Sequence, residues 1–412
     1  MRWTSGSCRR PYAIGRVPCG TASLKGGICW SDPSPRRSPG EARLRLLQVI
    51  NTLEPAGAEV LLRDVTLGLA RRGVETAVYL LRSTDSPLER GLAEAGIPLH
   101  CSRAGPVGSP QQVVALARHL RAHAYDVVHA HLFPTQLWGA LAARLAAPRT
   151  PLLTTEHATH NRRRRRLLQA MDRWMYGNYR HVVCVSHAVA AALARWVPAV
   201  EPRLRVIPNG IDVGRFAGAE RGDPQRLLGV AGPVLMMVAR FEPARDQATL
   251  LRAMRHLNGA QLVLVGDGSR RAEHQRLAAA LGVAERCHFL GTRKDVERLI
   301  KLADVYVQSS HWEGFGIAVL EAMASGVPVV ASRVPGLVEL VDSAGVLVEP
   351  GNADHLAQVL NALLRDPERR AELARRGRAR ADAFRIDGTV DRYHSLYREV
   401  CRAPADRRAS PD

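Results

Sequence analysis

From residue 45 onward, short continuous apolar runs alternate with longer amphipathic stretches. The first run is RLLQVIN at 45–51; a loop containing Gly57 follows it, and a helical pattern then extends to Arg71-Arg72-Gly73. A continuous apolar run predicts a strand that is buried on both faces. Basic residues followed by glycine predict the end of a helix. The pattern therefore begins with a strand, a loop and a helix.

The alternation continues to residue 212 and predicts one parallel sheet. Helices are predicted near 111–123 and 137–146, and a basic helix follows residue 160. The further predicted strands are ETAVYLL, DVVHAHLF, PLLTTEH, HVVCVSH and LRVIPNGID. Strands that alternate with helices are typical of a parallel sheet covered by helices on both faces.

A second series begins after a Gly-, Pro- and Arg-rich stretch at 212–232, which we interpret as a linker. Its predicted strands are PVLMMVARF, AQLVLVGDG, CHFLGT, ADVYVQSS, VPVVAS and GVLVEP. We predict an α/β fold of two tandem doubly wound Rossmann-like domains that face each other across a cleft. Because such sheets bind ligands beyond the carboxyl ends of their strands, the cleft is the expected site.

The pattern also predicts the domain boundaries. Residues 1–43 lack apolar periodicity and are predicted to be a disordered basic tail. The two domains are expected at 44–212 and 213–383. Residues 384–412 are expected to form a helix that packs back towards the N-terminal domain, followed by a tail.

Composition narrows the class of protein. The chain has 412 residues, 46% of them hydrophobic, which is enough for two cores. A net charge of +19 favours anionic partners such as phosphates or an acidic membrane surface. An arginine-rich solvated surface accounts for that charge equally well.

Cysteine usage and hydropathy indicate the cellular compartment in which we expect the protein. Seven widely spaced cysteines without a Cys-x-x-Cys pair argue against a disulfide framework or a zinc knuckle and favour a reducing compartment. The first residues show no signal-peptide pattern, and no run of about 18 apolar residues occurs. We expect a cytoplasmic protein, with peripheral attachment to the inner face of the cytoplasmic membrane as a further option.

The segment HWEGFGIAVLEAMASGVPVVAS at 311–332 carries the most chemistry. Glu313 precedes a Gly-Phe-Gly turn, and a predicted helix begins at Ile317 and ends at Gly326. A helix N-terminus offers free N–H groups and partial positive charge to a phosphate. Glu321, about one turn into that helix, would reach a ribose beside the phosphate. The alternative is a capping glutamate and a solvated helix residue.

The spacing of these two glutamates, with Gly-Phe-Gly after the first and Ala-Met-Ala-Ser-Gly after the second, resembles the retaining glycosyltransferases of family four (group 1), which have the two-Rossmann GT-B architecture. The resemblance covers 44–400. It implies that Glu313 contacts the donor sugar and that Glu321 holds the nucleotide ribose. It also implies that the backbone at Gly316 and Ile317 meets the diphosphate.

Other positions agree with that resemblance. Arg240 and Arg245 match an arginine and a lysine that neutralise the diphosphate, and arginine in the second place departs from the family pattern. Gly57 resembles the family's glycine near the phosphates, and Gly266 lies in a loop that is near the nucleotide in relatives. Glu339 resembles a loop glutamate that we interpret as structural. Surface arginines and simple turn glycines are the alternatives.

Two histidines alternate in DVVHAHLF. His129 and His131 should point to one face of their strand, which suggests a metal site. We reject metal because no third ligand follows at a suitable spacing, and the resemblance implies that His131 lies near the donor sugar without metal. His157 is a candidate on the acceptor side, or a structural histidine. Since no Asp-x-Asp occurs, we expect no metal cofactor and diphosphate neutralisation by arginine and helix N-terminus.

Five consecutive arginines, Arg162 to Arg166, open the basic helix, and an aromatic pair at Trp174 and Tyr176 follows. This composition favours contact with an anionic leaflet, and Arg162 and Arg166 become candidates on the acceptor side. A solvated charged face is the equal alternative. Nucleic acid is not expected, because no recognised binding motif occurs.

Together these features predict a metal-independent retaining glycosyltransferase. It would move a hexosyl or N-acetylhexosaminyl group from a nucleotide-diphosphate sugar to a glycan or lipid-linked acceptor, in synthesis of cell-envelope or exopolysaccharide glycan or of glycolipid. The resemblance places the acceptor on domain 44–212 and the nucleotide sugar on domain 213–383. The alternatives are a nucleotide-sugar epimerase of the same fold and a non-catalytic basic protein that binds membrane or nucleic acid.

Overall fold

A computed structural model describes residues 43–160 and 165–402. The predicted tail at 1–43, apart from its last residue, lies outside the described part, as do the end of the chain at 403–412 and the candidate residue Arg162.

The first sheet is parallel, with strand order β3-β2-β1-β4-β5-β6-β7. Its strands are β1 (Arg45–Ile50), β2 (Glu75–Leu80), β3 (Leu99–Cys101), β4 (Val127–His131), β5 (Leu152–Glu156), β6 (His181–Cys184) and β7 (Leu204–Val206). The central strands are buried on both faces, β4 and β5 along their whole length. Such burial requires helices on both sides of the sheet.

The second sheet is also parallel, with the order β10-β9-β8-β11-β12-β13. Its strands are β8 (Val234–Val238), β9 (Gln261–Val265), β10 (Cys287–Gly291), β11 (Val305–Gln308), β12 (Val329–Ser332) and β13 (Val346–Val348). This is the strand order of a doubly wound nucleotide-binding fold. The predicted α/β fold of two Rossmann-like domains is confirmed.

Helices cover both sheets. Those of the first domain are α1 (Gly57–Arg71), α2 (Pro87–Glu94), α3 (Gln111–Ala122), α4 (Thr135–Ala146), α5 (Arg166–Gly177) and α6 (His187–Trp196). Those that follow are α7 (Val213–Ala217), α8 (Pro224–Leu228), α9 (Gln247–Ala253), α10 (Arg271–Ala280), α11 (Val296–Ile300), α12 (Ile317–Ala324), α13 (Pro335–Val341), α14 (Ala353–Arg365), α15 (Pro367–Asp382) and α16 (Ile386–Arg402).

The sequence pattern missed several elements and misjudged one stretch. Helix α2 and strand β3 were not predicted, and neither were helices α13, α14 and α15. Strand β3 is only three residues long and lies at the sheet edge, so it lacks a full apolar run. The predicted linker at 212–232 contains the short helices α7 and α8 instead of continuous loop. Asp212 and Asp223 cap these helices through their side chains, a local signal that glycine and proline content obscured.

The last helix, α16, packs on the first domain. Val390, Tyr393 and Tyr397 are buried in one apolar cluster with Leu46 of β1 and with residues of α1. Close approach depends on Gly68 of α1, where an added Cβ would lie 2.5 Å from a methyl carbon of Val390. Helix α16 therefore completes a core that begins with β1.

Both sheets reverse their strand order at one place, between β1 and β4 and between β8 and β11. Ligands of doubly wound sheets bind beyond the carboxyl ends of the strands at this reversal. Gly57 follows β1 and His131 ends β4, while Arg245 follows β8 and Glu313 follows β11. Predicted site residues thus come from the loops on both sides of both reversals.

Candidate active site

An ion pair joins the two loops at the reversal of the second sheet. The Arg245 guanidinium contacts both carboxylate oxygens of Glu313, with Nη1–Oε2 at 2.8 Å and Nη2–Oε1 at 3.1 Å. The Glu313 side chain is only 12% exposed. Arg245 also donates a hydrogen bond to the carbonyl oxygen of Trp312 at 3.2 Å. Since arginine forks onto phosphate as it does onto carboxylate, the Arg245 guanidinium has the chemistry to bind a diphosphate beside Glu313.

Helix α12 begins beside this pair and has an uncapped N-terminus. Its N-cap residue is Gly316, which has φ of +100°. Because glycine has no side chain, it cannot accept a hydrogen bond from the N–H groups of the first turn. A side chain at this position would be strained and would meet Leu337 at 2.6 Å. The first N–H groups of α12 are therefore left without a side-chain acceptor, the arrangement in which a helix N-terminus binds anions.

The two domains meet at the starts of α1 and α12. A Cβ added to Gly57 would lie 3.1 Å from Cδ1 of Ile317. Gly57 is the first residue of α1, and its N-cap Ala56 also makes no side-chain capping bond. Two predicted donor-binding positions, 260 residues apart in sequence, thus lie in contact, and two helix N-termini raise the local positive potential.

Glu321 lies one turn into α12 with partial exposure, and its side chain has no hydrogen-bond partner within residues 43–160 and 165–402. Burial raises the pKa of Glu321 to about 8; Arg215 opposes the shift, while Glu297 and Asp64 add to it. A carboxyl group in this condition needs an added hydrogen-bond donor before it ionises readily.

Arg240 and Gly266 flank the same edge of the second sheet. Gly266 has φ of +131°, and an added Cβ would overlap the carbonyl oxygen of Ala239. The loop that contains Gly266 therefore packs directly against the residues that follow β8. Arg240 is exposed. Burial raises the pKa of Glu59 in the first turn of α1, and the nearby positive charge of Arg240 lowers that pKa by a smaller amount. Arg240 thus lies at the mouth of the cleft.

In the first domain, His131 is buried at the carboxyl end of β4. Its Nε2 lies 2.7 Å from Oε1 of Gln48. The rings of His129 and His131 stack with centroids 4.2 Å apart, so the two side chains do share one face. Burial lowers the pKa of His131 well below its ordinary value, and His129 and His157 lower it further. His131 is neutral at physiological pH.

His157 lies next to His131, with ring centroids 6.4 Å apart. Its Nε2 is buried and has no hydrogen-bond partner in the described part of the chain. Burial lowers the pKa of His157 to about 4. A neutral ring with an unpaired nitrogen is suited to bind a hydroxyl group.

The Gly-Phe-Gly turn presses against the first domain. A Cβ on Gly314 would overlap the carbonyl oxygen of His157. The Ser186 hydroxyl donates to the carbonyl oxygen of Gly314 at 2.6 Å, and the Thr159 hydroxyl donates to that of Glu313 at 3.2 Å. Sequence reasoning did not find Ser186 or Thr159; the only local signal was a serine that directly precedes helix α6.

Glu339 makes a second contact between the domains. Its carboxylate oxygens accept hydrogen bonds from the backbone N–H groups of His187 and Ala188, at 3.1 and 3.2 Å. These are the first two residues of α6, so a glutamate of the second domain caps a helix of the first. The structural interpretation of Glu339 agrees with this contact.

The basic helix lies apart from these contacts in what the structure describes. Arg166 is exposed at the start of α5, where Leu167 is 93% exposed and Trp174 is 38% exposed. None of the described helices is long and apolar enough to cross a bilayer. The described residues contain no cluster of three or more His, Cys, Asp or Glu arranged to hold a metal ion.

Comparison with known proteins agrees with this geometry. The family model described as "Glycosyltransferase Family 4" matches residues 55–215, and "Glycosyl transferases group 1" matches residues 223–380. The D-inositol 3-phosphate glycosyltransferase of Acidothermus cellulolyticus is 31% identical, over 88% of this chain and 89% of the relative. An Escherichia coli UDP-Gal:alpha-D-GlcNAc-diphosphoundecaprenol alpha-1,3-galactosyltransferase is 27% identical over 65% of this chain and 73% of its own.

Among solved structures, that of Anabaena HepE in complex with UDP-glucose superposes with a TM-score of 0.76 and 25% identity. The superposition covers 87% of this chain and all of HepE. Fold, strand order, both family models and a relative above 30% identity agree. The chain belongs to the group 1, family 4 glycosyltransferases of GT-B fold, and it is a glycosyltransferase.

Proposed function

We propose that the protein is a retaining glycosyltransferase that uses a nucleotide-diphosphate sugar. The observation that carries the proposal is the Arg245–Glu313 pair at the uncapped start of α12, enclosed by the first domain. It places a phosphate-binding fork, a helix N-terminus and a carboxylate within one small volume. These are the parts that a sugar diphosphate needs for its phosphates and its sugar.

The donor that this chemistry and the comparisons favour is a uridine diphosphate sugar. Support comes from HepE, whose structure holds UDP-glucose and whose fold this chain shares over 87% of its length. Arg240, Arg245 and the first turn of α12 would neutralise the diphosphate, and Gly57 and Gly266 would let backbone approach the nucleotide. Because these groups supply the positive charge, we propose that the reaction needs no divalent ion.

In the proposed reaction the bond between the anomeric carbon and the diphosphate oxygen breaks, and the acceptor hydroxyl oxygen bonds to that carbon on the same face. The hydroxyl proton passes to the departing phosphate oxygen, so no side chain is assigned as general base. Glu313 and neutral His131 orient the sugar. Arg245 stabilises the negative charge that develops on the leaving group.

The acceptor is proposed to be a glycan or a lipid-linked sugar in cell-envelope, exopolysaccharide or glycolipid synthesis. One relative is named for a diphosphoundecaprenol-linked sugar. The exposed Leu167 and Trp174 beside Arg166 on α5 support contact with an anionic inner leaflet by a cytoplasmic protein. His157, with its unpaired Nε2, is proposed to bind the acceptor hydroxyl.

Thermal-shift measurements with uridine-, guanosine- and adenosine-diphosphate sugars test the donor. A bound donor raises the melting temperature by mass action, and we expect the uridine series to give the largest rise. Product analysis by NMR then gives the anomeric configuration, which should match that of the donor. No stabilisation by any sugar nucleotide contradicts the proposal, and an inverted product contradicts the retaining mechanism.

Donor affinity should depend on pH through Glu321. Its pKa is raised to about 8, so the carboxyl group holds its proton at pH 7, whereas ribose hydroxyls bind best to the ionised form. Binding must then release a proton, and the dissociation constant for UDP should be about tenfold weaker at pH 7 than at pH 9. Titration calorimetry at the two pH values measures this change.

The matched variant is Glu321→Gln, which cannot ionise. It should bind UDP more weakly than the wild type at pH 9 and show no change between the two pH values. The same tenfold change in Glu321→Gln would assign the pH dependence to another group.

A further inference from the structure

We propose that Tyr397 and Gln48 are positioning residues that hold His131 in one neutral tautomer, with the proton on Nε2 and with Nδ1 left to accept a hydrogen bond from the sugar. Tyr397 belongs to α16, which reaches the first domain from the far end of the chain. The inference rests on the proposed role of His131 at the donor sugar.

Gln48 decides which nitrogen of His131 carries the proton. Its amide oxygen Oε1 lies 2.7 Å from Nε2 of His131. A carbonyl oxygen only accepts hydrogen bonds, so Nε2 must donate. Since the ring is neutral, Nδ1 is then an acceptor, and it has no hydrogen-bond partner in the part of the chain that the structure describes.

Tyr397 decides which way the Gln48 amide points. The phenol oxygen of Tyr397 lies 2.7 Å from Nδ1 of His129. A hydrogen bond with the Gln48 side chain lowers the pKa of Tyr397 against the larger raising effect of burial, and a lowering effect requires that the phenol oxygen accepts this bond. The phenol hydroxyl therefore donates to His129. Nε2 of His129 in turn donates to the hydroxyl of Thr155 at 2.9 Å. Each donor in this chain has one acceptor, so the amide has one favourable orientation.

Burial makes this orientation costly to reverse. Gln48 is 1% exposed, and His129 and Tyr397 are fully buried. An amide rotated by half a turn would leave its NH₂ group facing His131 and the phenol without its donor. Unpaired buried polar groups are strongly disfavoured. Burial also keeps both histidines neutral, since it lowers the pKa of His129 to about 3.

Loss of the Tyr397 hydroxyl should release the amide. Either orientation of the Gln48 amide then pairs one end with His131 and leaves the other end unpaired, so a second form becomes populated. In that form the NH₂ group faces Nε2 of His131, the proton lies on Nδ1, and the atom that met the sugar as an acceptor becomes a donor. The charge of His131 does not change, so the variable is the tautomer alone. This separates the proposed role from general electrostatics.

The test compares Tyr397→Phe with Tyr393→Phe. Both tyrosines are buried on α16, and the Tyr393 hydroxyl also makes one hydrogen bond in this cluster, to Thr155 at 3.2 Å, but none to Gln48. The ring ¹⁵N shifts of His131, assigned by comparison with His131→Gln, report the tautomer. Steady-state transfer from the best donor gives kcat and KM.

We expect wild type and Tyr393→Phe to show His131 protonated on Nε2. Tyr397→Phe should populate the form protonated on Nδ1 and lower kcat by up to about tenfold, the effect of one misplaced hydrogen bond, with little change in the donor KM. Gln48→Leu, which removes the amide, should also lose the Nε2 preference. It provides the same test if Tyr397→Phe does not fold.

An unchanged tautomer in Tyr397→Phe overturns the inference, as does a changed tautomer with unaltered kcat or an equal loss of kcat in Tyr393→Phe. Failure of the proposed function is distinguishable from all three. It would appear as a wild-type protein that turns over no sugar nucleotide, while the ¹⁵N measurement still reports whether Tyr397 sets the tautomer.

Discussion

Arg245→Ala is expected to lower kcat/KM for sugar transfer about a thousandfold, the loss seen when a preorganised group that stabilises the leaving charge is removed. Two effects combine. The diphosphate loses the side chain that we propose forks onto it, and Glu313 loses the partner that now lies 2.8 Å from its carboxylate. A carboxylate that is 12% exposed and unpaired would then repel the incoming diphosphate.

Arg245→Lys is the matched variant. It keeps the positive charge, and lysine is the residue that the family pattern carries at this place. We expect it to retain activity within about tenfold, because it neutralises charge but does not fork onto the phosphate. Arg369→Ala, which removes an exposed ion pair with Glu372 on α15, should have no effect. Wild-type turnover by Arg245→Ala would exclude Arg245 from the reaction.

The second large effect is expected from Gly314→Ala, which should lower kcat/KM about a hundredfold by misplacing the reacting groups. The added methyl group would overlap the carbonyl oxygen of His157, so the Gly-Phe-Gly turn must withdraw from the first domain. The hydrogen bond from Ser186 to Gly314, at 2.6 Å, breaks with it. Overpacking of this kind costs about 1–3 kcal/mol of stability.

Gly388→Ala is the control for Gly314→Ala. Gly388 lies in α16, and an added Cβ meets nothing within 4 Å. This substitution should leave activity unchanged and raise stability by up to about 1 kcal/mol, since alanine favours the helix. Small-angle scattering should show a larger radius of gyration for Gly314→Ala only. Full activity of Gly314→Ala with an unchanged radius of gyration would mean that activity does not require contact between the Gly-Phe-Gly turn and His157.

Local signals predicted the parts of the site that depend on neighbours in sequence. The helix from Ile317 was predictable because Gly316 requires a positive φ and an apolar run follows it. The shared face of His129 and His131 follows from the two-residue period of a strand. The two-domain fold followed from the repeated alternation of strand and helix.

Contacts between distant segments were not predictable in this way. Arg245 and Glu313 meet because β8 and β11 are neighbours in the sheet. The order of strands in a sheet cannot be predicted from a local sequence pattern. Ser186 and Thr159 donate hydrogen bonds from the first domain to the Gly-Phe-Gly segment of the second. Contacts between domains leave no periodic pattern in the sequence. Short elements escaped for a different reason: three residues of β3 are too few to show a period.

The packing of α16 has a consequence for how the protein is made. A ribosome completes β1 early, yet the residues that cover the apolar face shared by β1 and α1 emerge only after β13 of the second sheet has been made. These residues are Val390, Tyr393 and Tyr397. Until then the nascent first domain presents an uncovered hydrophobic surface, the kind that chaperones bind. Removal of the residues from 386 onward should therefore expose the apolar surface of the first domain, although that domain is the one farther from the cut in sequence. The two domains are made one after the other but mature together.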